Sequence, residues 1–169
     1  MATIVLRIHL KKGRDGPATL ACVRADGTRT WGKEHPFFPV HDLTHCAVES
    51  VLGCDDAFFG LIARGWAIDD FTQPGASARL PQQALIAEHI VAVLDRERAL
   101  PGPMTAAEVN EAVTAGLPPE GRPSFRPISA AQLESIRSLR QDLATRWALL
   151  APGDTLEIEF PVRALMRAT

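Results

Sequence analysis

The chain has 169 residues, enough for one domain with a real hydrophobic core, and its 46% hydrophobic and 22% charged residues lie in the ordinary globular range. Eighteen Lys and Arg against twenty Asp and Glu give a formal charge of -2, which argues against a general nucleic-acid footprint while leaving room for a local patch. No apolar run approaches the ~18 residues of a membrane span, and "MATIVLRIHLKKG" alternates instead of forming a signal-peptide block, so a cytoplasmic protein without membrane insertion is expected.

"TIVLRIHLKK" places Ile4, Leu6, Ile8 and Leu10 on one face and Val5, Arg7, His9 and Lys11 on the other, the period of two of a half-buried strand. "GRDG" supplies a turn and "PATLACVRA" a second strand. Asp26-Gly27 marks a hairpin, because glycine takes positive φ at little cost, and a third strand is expected at about Arg29 to Lys33. Pro36 and Pro39 stop the sheet. A helix is expected from His41 to Leu52, ended by Gly53, and a short one around Ala57 to Arg64.

"LPQQALIAEHIVAVLDRERAL" is the clearest long helix, with Leu85, Ile86, His89, Ile90, Val93 and Leu94 toward its buried side. Thr105 and Glu108 have capping-box spacing for a helix from Ala106 to about Ala115, and Ser129 and Gln132 repeat that spacing for a helix carrying Leu133, Ile136, Leu143 and Trp147. Between them, residues 116–128 are rich in proline and glycine and read as an exposed loop. "DTLEIEFP" alternates again and is expected to rejoin the N-terminal sheet. The expected architecture is a single α+β domain over residues 1–169: an N-terminal antiparallel meander and a C-terminal strand, packed against several helices.

One stretch breaks the apolar pattern. "FPVHDLTHCAVESVLG" is apolar nearly all round as a helix, yet His41, His45 and Glu49 fall on one slowly rotating stripe. A buried imidazole or carboxylate needs a hydrogen bond, an opposite charge or a metal to offset desolvation. Two histidines four residues apart can turn their nitrogens to one divalent ion, with Glu49 completing the shell or handling a proton; zinc is favoured, and iron or manganese also accept such ligands. Asp42 points elsewhere in an ideal helix, where it caps or favourably charges the helix N-terminus, orients an imidazole, or bridges to another metal. Further ligands are sought among His35, Asp55, Asp56, Asp69, Asp70 and His89, among which spacing does not choose. Phe37, Phe38, Phe58, Phe59 and Trp66 are candidate pocket walls. Cys46 and Cys54, beside the stripe, are read mainly as small core residues and secondarily as thiolates.

The "HDLTH" segment resembles the His-Asp-x-x-His element of the zinc-associated ubiquinone-biosynthesis Coq-four family. The resemblance covers about five residues and implies a metal held by His41 and His45, with Asp42 in the motif. The family's downstream glutamate would fall at Ala57, whereas Glu49 comes earlier. The wider "FPVHDLTHCAVE...FFGLIARGW" pattern also resembles a set of small bacterial proteins without an established chemistry.

These readings together point to a metal-binding protein, with metal-assisted hydrolysis or hydration as the reaction class if it is an enzyme. Glu49 and Asp42 are then the candidate catalytic residues, and His41, His45 and Glu49 the candidate ligands. A small-molecule substrate fits this reading, and nothing sets an oligomeric state. Two alternatives stand beside it. One is a structural or interaction module whose histidines are satisfied by protein groups. The other is a regulatory module binding an anion at Arg137 and Arg140. The three tryptophans are read as core or pocket-wall residues.

Overall fold

Strict alternation is what builds the sheet. The computed structural model describes residues 3–33 and 38–163, with only the backbone of Phe38, and in it Thr3–Lys11 (β1), Thr19–Val23 (β2), Arg29–Lys33 (β3) and Thr155–Arg163 (β4) form one antiparallel sheet in the order β3-β2-β1-β4. Gly27, at φ 85°, closes the β2–β3 hairpin, and the Asp26 carboxylate accepts the Thr28 amide at 2.9 Å. The last strand does rejoin the sheet, lying along the full length of β1 from Thr3↔Arg163 to Lys11↔Thr155.

All helices enter between β3 and β4. They are Phe38–Leu52 (α1), Phe58–Ala63 (α2), Ala76–Arg79 (α3), Gln82–Glu97 (α4), Ala106–Gly116 (α5) and Ala130–Leu149 (α6), with short 3-10 turns at Ile68–Phe71 and Arg122–Ser124. Both expected capping boxes form: Thr105 with Glu108, and Ser129 with Gln132, each side chain taking a free backbone donor. The first helix, α1, begins three residues earlier than expected, because proline is tolerated in a first turn and Pro39 sits there. Asp42 is consequently in the second turn and not at a cap.

The core has two halves that meet at α1. Leu6, Ile8, Leu10, Leu20, Phe160 and Val162 on the inner face of the sheet pack with Leu43 and Cys46 of α1 and with Phe59 and Ile62 of α2. On its other side α1 gives Ala47 and Val48 to a helical cluster with Ile90, Val91 and Leu94 of α4, Val109 and Val113 of α5, and Ile136 of α6. Each fully buried Leu, Ile or Phe contributes about 1.5–3 kcal/mol of transfer free energy. Apolar contact holds α1 from both layers, and its His41, Thr44, His45 and Glu49 side chains meet polar neighbours along the seam with α4 and α2.

Two local expectations are corrected. Trp31 is 57% exposed, on the outer face of β3, because odd-numbered residues of every strand point away from the helices. The buried side of α4 is set by Ala84, Ala87, Ile90, Val91, Val93 and Leu94, rotated from the side marked by its largest residues. Small residues let α4 approach α1 closely, and this turns Glu88, not His89, to the seam. Within residues 116–128, Leu117, Phe125 and Ile128 are buried in the helical cluster. No helix of the described residues is long and apolar enough to cross a membrane.

Candidate metal centre

Glu88, Val91 and Asp95 form one stripe of α4, three and seven residues apart. Val91 is fully buried against α1, and the two carboxylates flank it. α1 and α4 run antiparallel here, so His41 meets Asp95 and His45 meets Glu88.

The two imidazoles are held in the same way. His41 Nδ1 lies 2.8 Å from Asp95 Oδ2, and the other Asp95 oxygen accepts from Thr44 Oγ1 at 2.9 Å. His45 Nδ1 lies 3.0 Å from Glu49 Oε1, and the other Glu49 oxygen accepts the Phe59 amide at 3.0 Å. On the far side of each ring, Nε2 faces Glu88: His45 Nε2 is 2.9 Å from Glu88 Oε2, and His41 Nε2 is 3.7 Å from Glu88 Oε1. The ring centroids are 4.8 Å apart. One ligand atom each from His41, His45 and Glu88 lies within 4.8 Å of the others, so this cluster is capable of coordinating a metal ion. Bonds of about 2 Å hold tetrahedral ligands about 3.3 Å apart, a contraction that rotation of an exposed glutamate supplies.

The electrostatics favour positive charge at this point. Burial pushes the His45 imidazolium down, but the hydrogen bonds and charges of Glu49 and Glu88 outweigh it and raise its pKa from 6.5 to about 10. Burial pushes the Glu49 carboxyl above its ordinary range, opposed by His45 and by the amides of Phe59 and Gly60. The hydrogen bond from His45 holds Glu88 below its ordinary value. Burial raises Asp95, and His41 and Thr44 more than offset it. Three carboxylates around two imidazoles are balanced equally well by two protons or by one divalent ion.

The site is open on one side. The Glu88 side chain is 55% exposed and that of His41 26%, whereas those of His45 and Glu49 are 5% and 0% exposed. Phe58 lies beside His45, ring centroids 5.6 Å apart, and continues through Phe71 to Trp66, so an aromatic wall does border the centre. Phe59 instead packs into the core on Phe160.

The other named residues go elsewhere. Asp42 is buried but outside the converging set. Asp55 pairs with Arg163 at 2.6 Å and Asp56 with Arg64. Asp70 accepts the Ala67 amide, and Asp69 lies in the same 3-10 turn. His89 packs against Gly116 of α5. His35, Phe37 and the Phe38 side chain lie outside the described residues. Burial pushes the thiols of Cys46 and Cys54 up to about 12, so both stay protonated near neutral pH. Arg137 and Arg140 turn to an internal anion, the buried carboxylate of Glu97, and also donate to the carbonyls of Met104 and Leu94.

The sequence reading missed Glu88 and Asp95. A signal existed: two acidic residues two turns apart on α4, bracketing a buried valine. Its meaning depends on knowing that α1 lies opposite. A groove of about 380 Å³ between α4 and the 124–127 segment is separate from the centre, since Ile86 and Ile90 lie about 200° around α4 from Glu88. The chain matches no family model, no curated protein and no solved structure.

Proposed function

We propose that this protein binds one divalent transition-metal ion, zinc in preference to iron or manganese, through His41 Nε2, His45 Nε2 and the Glu88 carboxylate. The observation that carries the reading is the matched treatment of the two rings: each has Nδ1 on a carboxylate and Nε2 turned to Glu88. A carboxylate on Nδ1 fixes the tautomer that leaves Nε2 free to ligate, and makes the ring a better donor. Glu49 and Asp95 are then positioning residues.

Three protein ligands and an exposed side fit a reactive centre better than a closed structural one. When bound, the ion supplies Lewis-acid chemistry, polarising an oxygen or acidifying water. Around it, Glu88 holds the solvent-facing position, Phe58 excludes water from the His45 side, and the Glu49 carboxylate, backed by the Phe59 amide, keeps the His45 proton at Nδ1. A hydrolase or hydratase acting on a small polar substrate is the activity we favour.

A metal-free reading rests on one observation: both His45 nitrogens already meet carboxylates, as a structural imidazolium would. Metal analysis of protein purified without added metal separates the two, with His45→Ala and Glu88→Ala variants alongside. The proposal expects about one ion per chain, lost in both folded variants, and proton release when zinc is added to the metal-free protein. Failure of zinc, iron and manganese to bind the folded protein overturns it.

A further inference from the structure

The outer face of the sheet is uncovered by any described element, and its register arranges charge in an ordered pattern. Arg29 and Lys33 stand on β3 with Trp31 between them, all three exposed. Across β2, the pairings Arg29↔Val23↔Arg7 and Lys33↔Thr19↔Lys11 place Arg7 and Lys11 at the matching positions of β1, also exposed. The four cations mark the corners of a rectangle about 13 Å along the strands and about 10 Å across them. Trp31 and His9 occupy the midpoints of its long sides, and Ala21, paired with both, forms a low floor between them.

Among the described residues, none of the four cations has a salt-bridge partner, whereas most other arginines are engaged elsewhere in the fold. The chain has only three lysines, and two of them are on this face. Among the described strand residues, this face carries acidic side chains only on β4, at Glu157 and Glu159 opposite His9 and Arg7, so the positive field is strongest over β2 and β3. Isolated edge-strand lysines commonly serve to block sheet pairing. That explanation does not extend to Arg7 and Lys11, which lie on a central strand, nor to a tryptophan left in water.

We propose that this face docks single-stranded nucleic acid, with a base stacked on Trp31 and the backbone phosphates running between the β3 and β1 cations. An exposed aromatic on an open sheet flanked by unpaired cations supplies both halves of such recognition, stacking and phosphate contact. A duplex keeps its bases inside and offers Trp31 nothing to stack on. A lipid headgroup layer would engage the cations but not select for an unstacked base. The surface is independent of the metal centre, on the opposite side of the sheet from α1.

The test uses the full chain and fluorescein-labelled oligouridylate and oligothymidylate of about twelve nucleotides, followed by anisotropy at several salt concentrations. Four phosphate contacts predict a log–log salt slope of about -3, falling to about -1.4 in a Lys11→Ala, Lys33→Ala double variant. Trp31→Ala is expected to weaken binding at least about fivefold, from the loss of one stacked base. Arg126→Ala, a cation remote from this face, should leave binding unchanged. All these positions are at the surface, so unfolding curves matching the parent keep the comparison clean. The proposal is overturned by absence of binding at about 50 mM salt, by equal affinity for a duplex of the same length, or by affinity that survives both face variants. Capture by phosphatidylserine vesicles without oligonucleotide binding also overturns it.

Discussion

Replacing Glu49 by glutamine keeps its volume and removes one acceptor. In the parent, one oxygen takes the Phe59 amide and the other faces His45 Nδ1. The amide of glutamine has a single oxygen, and the Phe59 N–H requires it. The new NH2 group is therefore turned to His45 Nδ1, and the ring must carry its proton on Nε2, the atom aimed at Glu88. That is the wrong tautomer for a ligand. Losing such an orienting partner costs roughly 10–100-fold in metal affinity, or about 1.4–2.7 kcal/mol. Metal-free stability should also fall, by about 1–3 kcal/mol, because a buried charged hydrogen bond is replaced by a poorer one. Zinc affinity by chelator competition and urea unfolding in excess chelator measure the two quantities. Unchanged zinc affinity refutes the orienting role. A loss well beyond the roughly 100-fold upper end for an orienting partner refutes it in the other direction and makes Glu49 itself a ligand.

Three further outcomes follow from the same geometry. In metal-free protein the folded His45 pKa of about 10 exceeds its ordinary 6.5, so the folded state keeps a proton that the unfolded chain releases. Its stabilisation is complete below about pH 6.5 and is lost as pH rises through about 10, by a few kcal/mol at most; urea unfolding at about pH 6, 8 and 10 in chelator should show that decline, and a flat profile contradicts it. Glu97→Ala strands Arg137 and Arg140, which are 21% and 15% exposed, and should cost about 2–4 kcal/mol in denaturant unfolding while leaving zinc affinity near the parent value. Gly60→Ala would put a Cβ 2.1 Å from the Asp55 carbonyl oxygen, so α2 must shift; a loss of roughly 2–3 kcal/mol together with weaker zinc binding is expected, since α2 supplies the amide that holds Glu49. An unchanged melting temperature for Gly60→Ala would show that α2 is free to move.

Local chemistry made most of the fold legible in the sequence. Period-two alternation marked β1 and β4, Asp26-Gly27 marked the hairpin, and the Thr105/Glu108 and Ser129/Gln132 boxes marked two helix starts within a residue. The start of α1 was less legible, because a proline reads as a stop whether it precedes a helix or occupies its first turn. The two 3-10 turns and the four-residue α3 carry too little periodicity to announce themselves.

At the centre, the sequence by itself determined that His41, His45 and Glu49 share a stripe on a helix apolar all round, and so that some partner had to meet them in the interior. It did not determine the partner. Glu88 and Asp95 look like ordinary solvent-facing acids of an amphipathic helix until α4 is laid antiparallel on α1. Their spacing acquires meaning only from the small residues that let the two backbones approach. Glu49, one turn on in the same helix, takes Nδ1 of His45, whereas only tertiary packing brings Glu88 of α4 to Nε2 of that ring. Helical periodicity reports which residues lie on the same side of one element; which groups face them is set by the packing of elements far apart in the chain.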